Sequence, residues 1–164
     1  MKLKVFRVTV LLLAVLWMSV IFTLSAQDAT ESAQLSTGVK YKLFSIFYPD
    51  FDNMTETEQQ ELLAKFSIRK WAHFSAYLVL GSTMFGVFLT YRKLSLKLRC
   101  LLSFVSCALY AASDEIHQYF VPGRSCELRD VLIDSSGALL AILIAVLVCR
   151  FSKKLYAKVK TKEC

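Results

Sequence analysis

Three ionisable residues stand within four consecutive positions of an otherwise apolar stretch: Asp114, Glu115 and His117. Gln118 follows them directly. On membrane-insertion scales, an ionisable residue at the centre of a spanning helix costs about 2.5–3.5 kcal/mol, so such residues are paired with one another or carry a function. A histidine beside carboxyl groups is suited to general acid–base catalysis. This segment is therefore the first candidate for a functional site.

Polar residues also recur at helical spacing in the apolar stretches on either side. Lys70, His73 and Tyr77 follow steps of three and four residues, which place them on one face of a helix. Asp130 and Asp134 are likewise separated by about one turn. Each neighbouring stretch therefore has a polar face.

These polar faces are predicted to lie at one level of a helical bundle. If successive helices are antiparallel, His73, Asp114 and Asp134 all lie roughly 5–9 Å below the outer boundary, at about 1.5 Å per residue. The small residues Gly137 and Ala138, which follow Asp134, allow neighbouring helices to approach closely. We therefore expect the three ionisable side chains to meet.

Basic and acidic residues are nearly balanced around this site. The basic residues are Arg69, Lys70, Arg124 and Arg129. The acidic residues are Asp114, Glu115, Glu127, Asp130 and Asp134. Such a set could pair internally and only hold the helices together, because buried charges are usually paired. The basic residues could instead hold a phosphate or carboxylate ligand, and we favour a ligand or catalytic site because ionisable residues inside a membrane indicate function by default.

Any catalytic chemistry at this site would use a histidine as the base and a carboxyl group as its partner. The candidates are His73, Asp114, Glu115 and His117. No metal centre is predicted, because the two histidines show neither the HExxH pattern nor a comparable ligand spacing. No cofactor is predicted either. The absence of a glycine-rich phosphate loop and of a GxSxG motif argues against nucleotide hydrolysis and serine hydrolase chemistry.

Membrane-spanning helices are predicted to position these residues. The chain has 164 residues and 55% hydrophobic content, which is too apolar for a soluble domain of this size. A span needs about 20 residues, and four candidates occur at about 8–24, 71–91, 98–120 and 131–149. The first is longer than the apolar core of a signal peptide, about 7–15 residues, so we interpret it as a retained helix. The predicted fold is all-α, an integral membrane four-helix bundle in a single domain over residues 1–164.

The long connection over residues 25–68 is predicted to be an outer loop that carries a short amphipathic helix. Residues 27–38 are small and polar, as is typical of a loop. Residues 39–51 are rich in aromatic side chains, which favour the membrane interface. Thr55 and Glu58 form a capping-box pattern that opens the short helix. We interpret the connection as a cap on the bundle rather than a lid over a ligand.

Lys and Arg residues are concentrated at one end of the predicted bundle. The N-terminus, the loop at 92–99 and the tail at 150–164 together hold thirteen of the twenty. The positive-inside rule then places both termini in the cytoplasm and the candidate site on the outer side. The net charge of +7 reflects this bias and contact with anionic lipids, so no nucleic-acid partner is predicted. Cys126 is the only cysteine expected on the outer side.

The site residues and their order resemble the VanZ-like family of small bacterial membrane proteins. The resemblance rests on Arg69-Lys70-Trp71-Ala72-His73 with Tyr77, Asp114-Glu115-Ile116-His117-Gln118, Val121-Pro122-Gly123-Arg124, and Asp130 with Gly137, and also on Phe22, Ser25 and Gln27. It implies a multi-pass protein of the bacterial cytoplasmic membrane. The best-known members confer resistance to teicoplanin and related lipoglycopeptides. Asp134 departs from the family pattern, which has asparagine there more often.

Residues and resemblance together predict an outward-facing site that binds a cell-wall or lipid-linked anionic ligand, in glycopeptide resistance or envelope homeostasis. The predicted ligand-binding residues are Arg69, Lys70, His73, Tyr77, Asp114, Glu115, His117, Gln118, Arg124, Arg129, Asp130 and Asp134. Two alternatives are an intramembrane enzyme that modifies a lipid-linked headgroup and a proton-coupled carrier. A carrier is less favoured, because the inner halves of the helices have almost no polar residues.

Overall fold

The described part of the chain is almost entirely helical. The computed structural model describes the backbone of residues 2–160 and the side chains of residues 3–152. Its α-helices are α1 (Lys2–Ser25), α2 (Ala29–Phe47), α3 (Glu56–Ala64), α4 (Ile68–Leu89), α5 (Leu96–Tyr119) and α6 (Leu128–Lys160), with a 3-10 turn at Phe51–Asn53. Four helical stretches are long and apolar enough to cross a membrane: Leu3–Ser25 in α1, Glu56–Leu89 with α4, Leu96–Tyr119 in α5 and Leu128–Ser152 in α6. The predicted all-α membrane fold is confirmed.

The outward faces of these helices suit lipid rather than water. Leu12 and Leu16 of α1 are 64% and 62% exposed, and Leu143 of α6 is 52% exposed. In water, a continuous surface of such residues would be unfavourable, whereas a bilayer solvates it. The hydrophobic effect therefore places these faces in the membrane. Polar residues then lie in the interior of the helical bundle or at the ends of its helices.

Helices α4 and α6 approach each other too closely to admit a Cβ atom at two glycines. A Cβ at Gly81 would lie 2.6 Å from the carbonyl oxygen of Ala138, and one at Gly137 would collide with the carbonyl oxygen of Phe74. Small residues at helix contacts are typical of membrane bundles, where close packing replaces the hydrophobic driving force between helices. The contact brings the polar faces of α4 and α6 together.

Gly137→Ala is expected to destabilise the protein strongly, because the added methyl group would occupy the position of a backbone carbonyl. Overpacking of a core typically costs about 1–3 kcal/mol, and backbone atoms cannot rotate away as a side chain can. Thermal unfolding of the purified protein measures the effect. Gly38→Ala in α2 is the matched control, since no atom lies within 4 Å of its added Cβ and alanine is the better helix former by about 1 kcal/mol. Equal unfolding temperatures for wild type and Gly137→Ala would contradict the close packing.

Two polar contacts attach α1 to α4. The Arg7 guanidinium donates to the Thr90 hydroxyl at 3.0 Å and lies 4.4 Å from the centre of the Tyr91 ring. Trp17 Nε1 donates to the Ala76 carbonyl at 2.8 Å. The basic start of α1 therefore lies beside the α4–α5 connection, at the opposite end of the bundle from the α5–α6 connection.

The predicted tail at 150–164 differs from the structure where it can be compared. Helix α6 does not end near residue 149 but continues to Lys160. The side chains of residues 153–164 lie outside the described part of the chain, and so does the predicted cytoplasmic position of the C-terminus.

The prediction of a loop over residues 27–38 is wrong, because this segment begins α2. Asp28 caps the helix by accepting hydrogen bonds from the backbone N–H groups of Thr30 and Glu31. The Thr30 hydroxyl, together with the Glu31 N–H group, lowers the pKa of Asp28 below its usual value. The sequence contains this start signal at Asp28, but the small polar residues that follow it are also typical of a loop.

The predicted short helix after Thr55 is confirmed as α3. Thr55 and Glu58 form the expected capping box. Leu63 of α3 packs with Phe44 of α2 and with Phe51 in a small second core. The connection between α1 and α4 is therefore folded, with its own apolar contacts.

Candidate functional site

His73, Asp114 and Asp134 meet inside the bundle, as the helical spacing predicted. One potential ligand atom of each residue lies within 4.8 Å of the other two. His73 Nδ1 is 3.6 Å from Asp134 Oδ2, which is longer than a hydrogen bond. Asp114 is 2% exposed, and Asp134 and Tyr77 are fully buried. We call His73, Asp114 and Asp134 the buried triad, which joins α4, α5 and α6.

Gln118 connects the carboxyl groups of α5 to the turn that follows. Its Nε2 donates to Asp114 Oδ2 at 3.1 Å and to Glu115 Oε1 at 3.3 Å, and its Oε1 accepts from Arg124 Nη1 at 2.9 Å. The other Glu115 oxygen accepts the backbone N–H of Glu127 at 2.9 Å. Both oxygens of Glu115 are therefore engaged, one within α5 and the other with the α5–α6 connection.

Ser25 belongs to the site although the residue pattern did not mark it. Its hydroxyl, at the end of α1, donates to Asp114 Oδ2 at 2.8 Å. The residue is 1% exposed. Its one signal in the sequence was the family resemblance at the end of the first helix, because a serine that ends an apolar stretch has no distinctive spacing.

A tight turn positions Arg124 beside the triad. Gly123 has φ of +73°, in the left-handed region that favours glycine. Burial lowers the pKa of the Arg124 guanidinium, and the like charge of Arg69 lowers it further. Arg124 nevertheless stays charged at neutral pH. Both arginines line one cavity, so a single anionic ligand could contact both.

Other predicted site residues lie at the edge of this cluster. Lys70 Nζ is 3.8 Å from Asp130 Oδ1 in a partly exposed pair. His117 stacks on Phe22 with ring centroids 4.3 Å apart. Arg129 is exposed and forms no ion pair with any residue of the described part. The structure thus does not bring Arg129 to the buried triad.

A cavity of about 370 Å³ borders the triad between α1, α2 and α4. Its aliphatic walls include Ile21, Leu24, Leu35, Val39 and Ile68. Its charged and titratable groups are Arg69, His73 and Arg124. Leu35 and Val39 belong to α2, so the apolar side of the site was not predicted.

Four apolar helices around a buried polar cluster define a multi-pass membrane protein with a candidate site inside its bundle. The VanZ/LLP1 family model matches residues 10–149, a range that contains every predicted site residue. The chain belongs to this family, as its resemblance predicted. Neither a curated protein nor a solved structure matches it significantly.

Proposed function

We propose that the cavity binds an amphiphilic, lipid-linked anion. The observation that carries this proposal is one cavity that combines aliphatic walls with Arg69 and Arg124. An apolar cavity alone would suit many lipid tails. Guanidinium groups add selectivity, because they hold phosphate or carboxylate through two parallel hydrogen bonds.

Both arginines have capacity for such a ligand. Among the described residues, the ion pairs are those of Lys70 with Asp130 and of His73 with Asp134, so neither arginine has a carboxylate at salt-bridge distance. Arg124 donates from Nη1 to Gln118, while its buried Nε has no partner among the described residues. An anion between the two guanidinium groups would replace their repulsion with attraction to both.

The proposed role is in glycopeptide resistance or cell-envelope homeostasis. A lipoglycopeptide such as teicoplanin and a lipid-linked cell-wall intermediate both combine a hydrocarbon chain with polar groups, which is the chemistry that this cavity suits. The basic end of the bundle lies opposite the α5–α6 connection, so the positive-inside rule supports a cavity on the outer side of a bacterial cytoplasmic membrane, with both termini inside. Family membership supports the same role.

Arg124→Lys is expected to weaken the binding of a polyprenyl phosphate to the purified protein about tenfold. Lysine keeps the charge but cannot form the two parallel hydrogen bonds of a guanidinium, and the loss of one such bond, about 1.4 kcal/mol, corresponds to that factor. Saturable binding in detergent micelles, followed by native mass spectrometry, measures the affinity.

The controls distinguish the contributions of the lipid chain, the phosphate group and the identity of the arginine. Arg92 is an exposed arginine in the α4–α5 connection, so Arg92→Lys should bind the polyprenyl phosphate as tightly as wild type. Inorganic phosphate should bind far more weakly than the lipid, because it leaves the aliphatic walls empty. If a neutral polyprenol bound as tightly as its phosphate, or if wild type bound neither, the proposed function would be wrong.

A further inference from the structure

We propose that His73, Asp114 and Asp134 bind one divalent cation. One imidazole nitrogen with two carboxylate oxygens suits Zn²⁺ or Mn²⁺, whereas Mg²⁺ prefers oxygen ligands alone. The site goes beyond the proposed lipid binding and does not depend on it, because the triad lies behind the cavity and uses neither arginine. The sequence analysis predicted that these side chains meet but no metal, because ligands on three different helices leave no spacing motif such as HExxH along the chain.

The separation of His73 and Asp134 suits a shared metal ion better than a direct hydrogen bond. Two ligands of a tetrahedral zinc ion, with bonds of about 2.0–2.1 Å, are about 3.3–3.4 Å apart. His73 Nδ1 and Asp134 Oδ2 are separated by 3.6 Å, too far for a hydrogen bond but close to that edge. The three potential ligand atoms lie within 4.8 Å of one another, so rotation of their side chains would have to bring them to the spacing of metal ligands.

Three of the four carboxyl oxygens of the triad lack hydrogen-bond partners among the described residues. Neither oxygen of Asp134 accepts a hydrogen bond from the described residues, and Asp114 Oδ1 lacks one as well. Asp134 is fully buried and Asp114 is 2% exposed. Uncompensated carboxylates are costly in such surroundings. Lys70 lies against Asp130 and not against the triad. The positive charge that the triad itself could supply is therefore a protonated His73.

A divalent cation would balance both carboxylates without a proton on His73. The imidazole must be neutral to ligate, so a nitrogen lone pair and the free carboxylate oxygens would all be available to one cation. The Tyr77 hydroxyl is fully buried, one turn from His73, and makes no hydrogen bond with the described residues. The interior therefore has polar atoms beside the triad that only an additional group would satisfy.

Hydrogen bonds from neighbouring side chains orient Asp114, as hydrogen bonds to metal ligands do in metal sites. Ser25 and Gln118 both donate to Asp114 Oδ2, at 2.8 and 3.1 Å, which leaves Oδ1 available. Hydrogen bonds of this kind fix ligand direction in metal sites. His73 also borders the cavity, which provides an entry path for the ion and an open coordination position.

Metal content of the purified protein tests the proposal. The affinity tag is removed, the protein is stripped with chelator, and ZnCl₂ or MnCl₂ is added before dialysis and elemental mass spectrometry. Wild type is expected to retain one Zn²⁺ or Mn²⁺ per chain and to unfold at a higher temperature with the metal than without it. Asp134→Asn and His73→Ala should each lower the affinity by more than about 100-fold, since even the loss of an outer contact costs 10–100-fold.

Asp52→Asn, an exposed carboxylate in the α2–α3 connection, is the matched control and should retain the metal. If wild type bound no stoichiometric metal and gained no thermal stability, the carboxyl groups would instead share a proton with His73, and the proposal would be wrong. Metal content in Asp134→Asn and His73→Ala equal to that of wild type would also overturn it. The wild-type measurement decides the question even if a variant fails to fold. No lipid is present, so failure here leaves the lipid-anion proposal untouched.

Discussion

Cells that produce Asp114→Asn are expected to lose the teicoplanin resistance that we propose for wild type, although the variant remains in the membrane at a near-normal level. Asparagine keeps the volume of aspartate, and its oxygen can still accept from Ser25. The charge is lost, however, and an NH₂ group stands where the buried triad needs an acceptor. The inhibitory concentration of teicoplanin should fall to that of cells with an empty vector.

Two further variants are needed to interpret this result. His73→Ala should have the same effect, because it removes a member of the triad that also borders the cavity. Asp52→Asn should keep wild-type resistance, since the Asp52 side chain is exposed and lies between α2 and α3, outside the three helices that hold the triad. Immunoblots of the membrane fraction measure the protein level. Disappearance of both triad variants from the membrane would mean that the triad only stabilises the fold, and full resistance in both would contradict any functional role.

A membrane-impermeant thiol reagent applied to intact cells is expected to label the protein once, at Cys126. This residue is exposed in the α5–α6 connection, Cys107 is buried, and Cys100 and Cys149 are half-buried in α5 and α6. Cys164 lies outside the described residues, in the tail predicted to be cytoplasmic. The effect is all or none, because a bilayer separates the reagent from every thiol except those on the outer side.

Cys126→Ser should abolish the labelling of intact cells. After the cells are opened, the same variant should again take up reagent at the basic end or tail, which shows that the remaining thiols are reactive. Labelling of Cys126 only in opened cells would show that the protein has the opposite orientation in the membrane. The proposal of an envelope-facing cavity would then have to be withdrawn. The fold and the metal proposal would be unaffected, because neither depends on the direction of insertion.

Much of the fold could be predicted because its signals are local. Apolar stretches of spanning length predicted α1, α4, α5 and α6 to within a few residues at most ends. Helical periodicity placed His73 and Asp134 on inward faces, and antiparallel order placed both near Asp114. Helix α2 was missed for the converse reason. Its small polar residues carry little helical signal, and the helix is held by its Asp28 cap and by contacts with the rest of the chain.

The sequence by itself determined that this is a multi-pass helical membrane protein with ionisable residues in its interior, because hydropathy and helical repeat are properties of consecutive residues. Helical spacing also predicted that His73, Asp114 and Asp134 meet. Only the tertiary structure decided which other residues join them. It brought Ser25 to Asp114, left Arg129 outside, and formed a cavity from α1, α2 and α4. These outcomes depend on the distance and rotation between helices. Close backbone contacts, such as that at Gly137, fix this distance and rotation, and the spacing of residues along the chain does not reveal them.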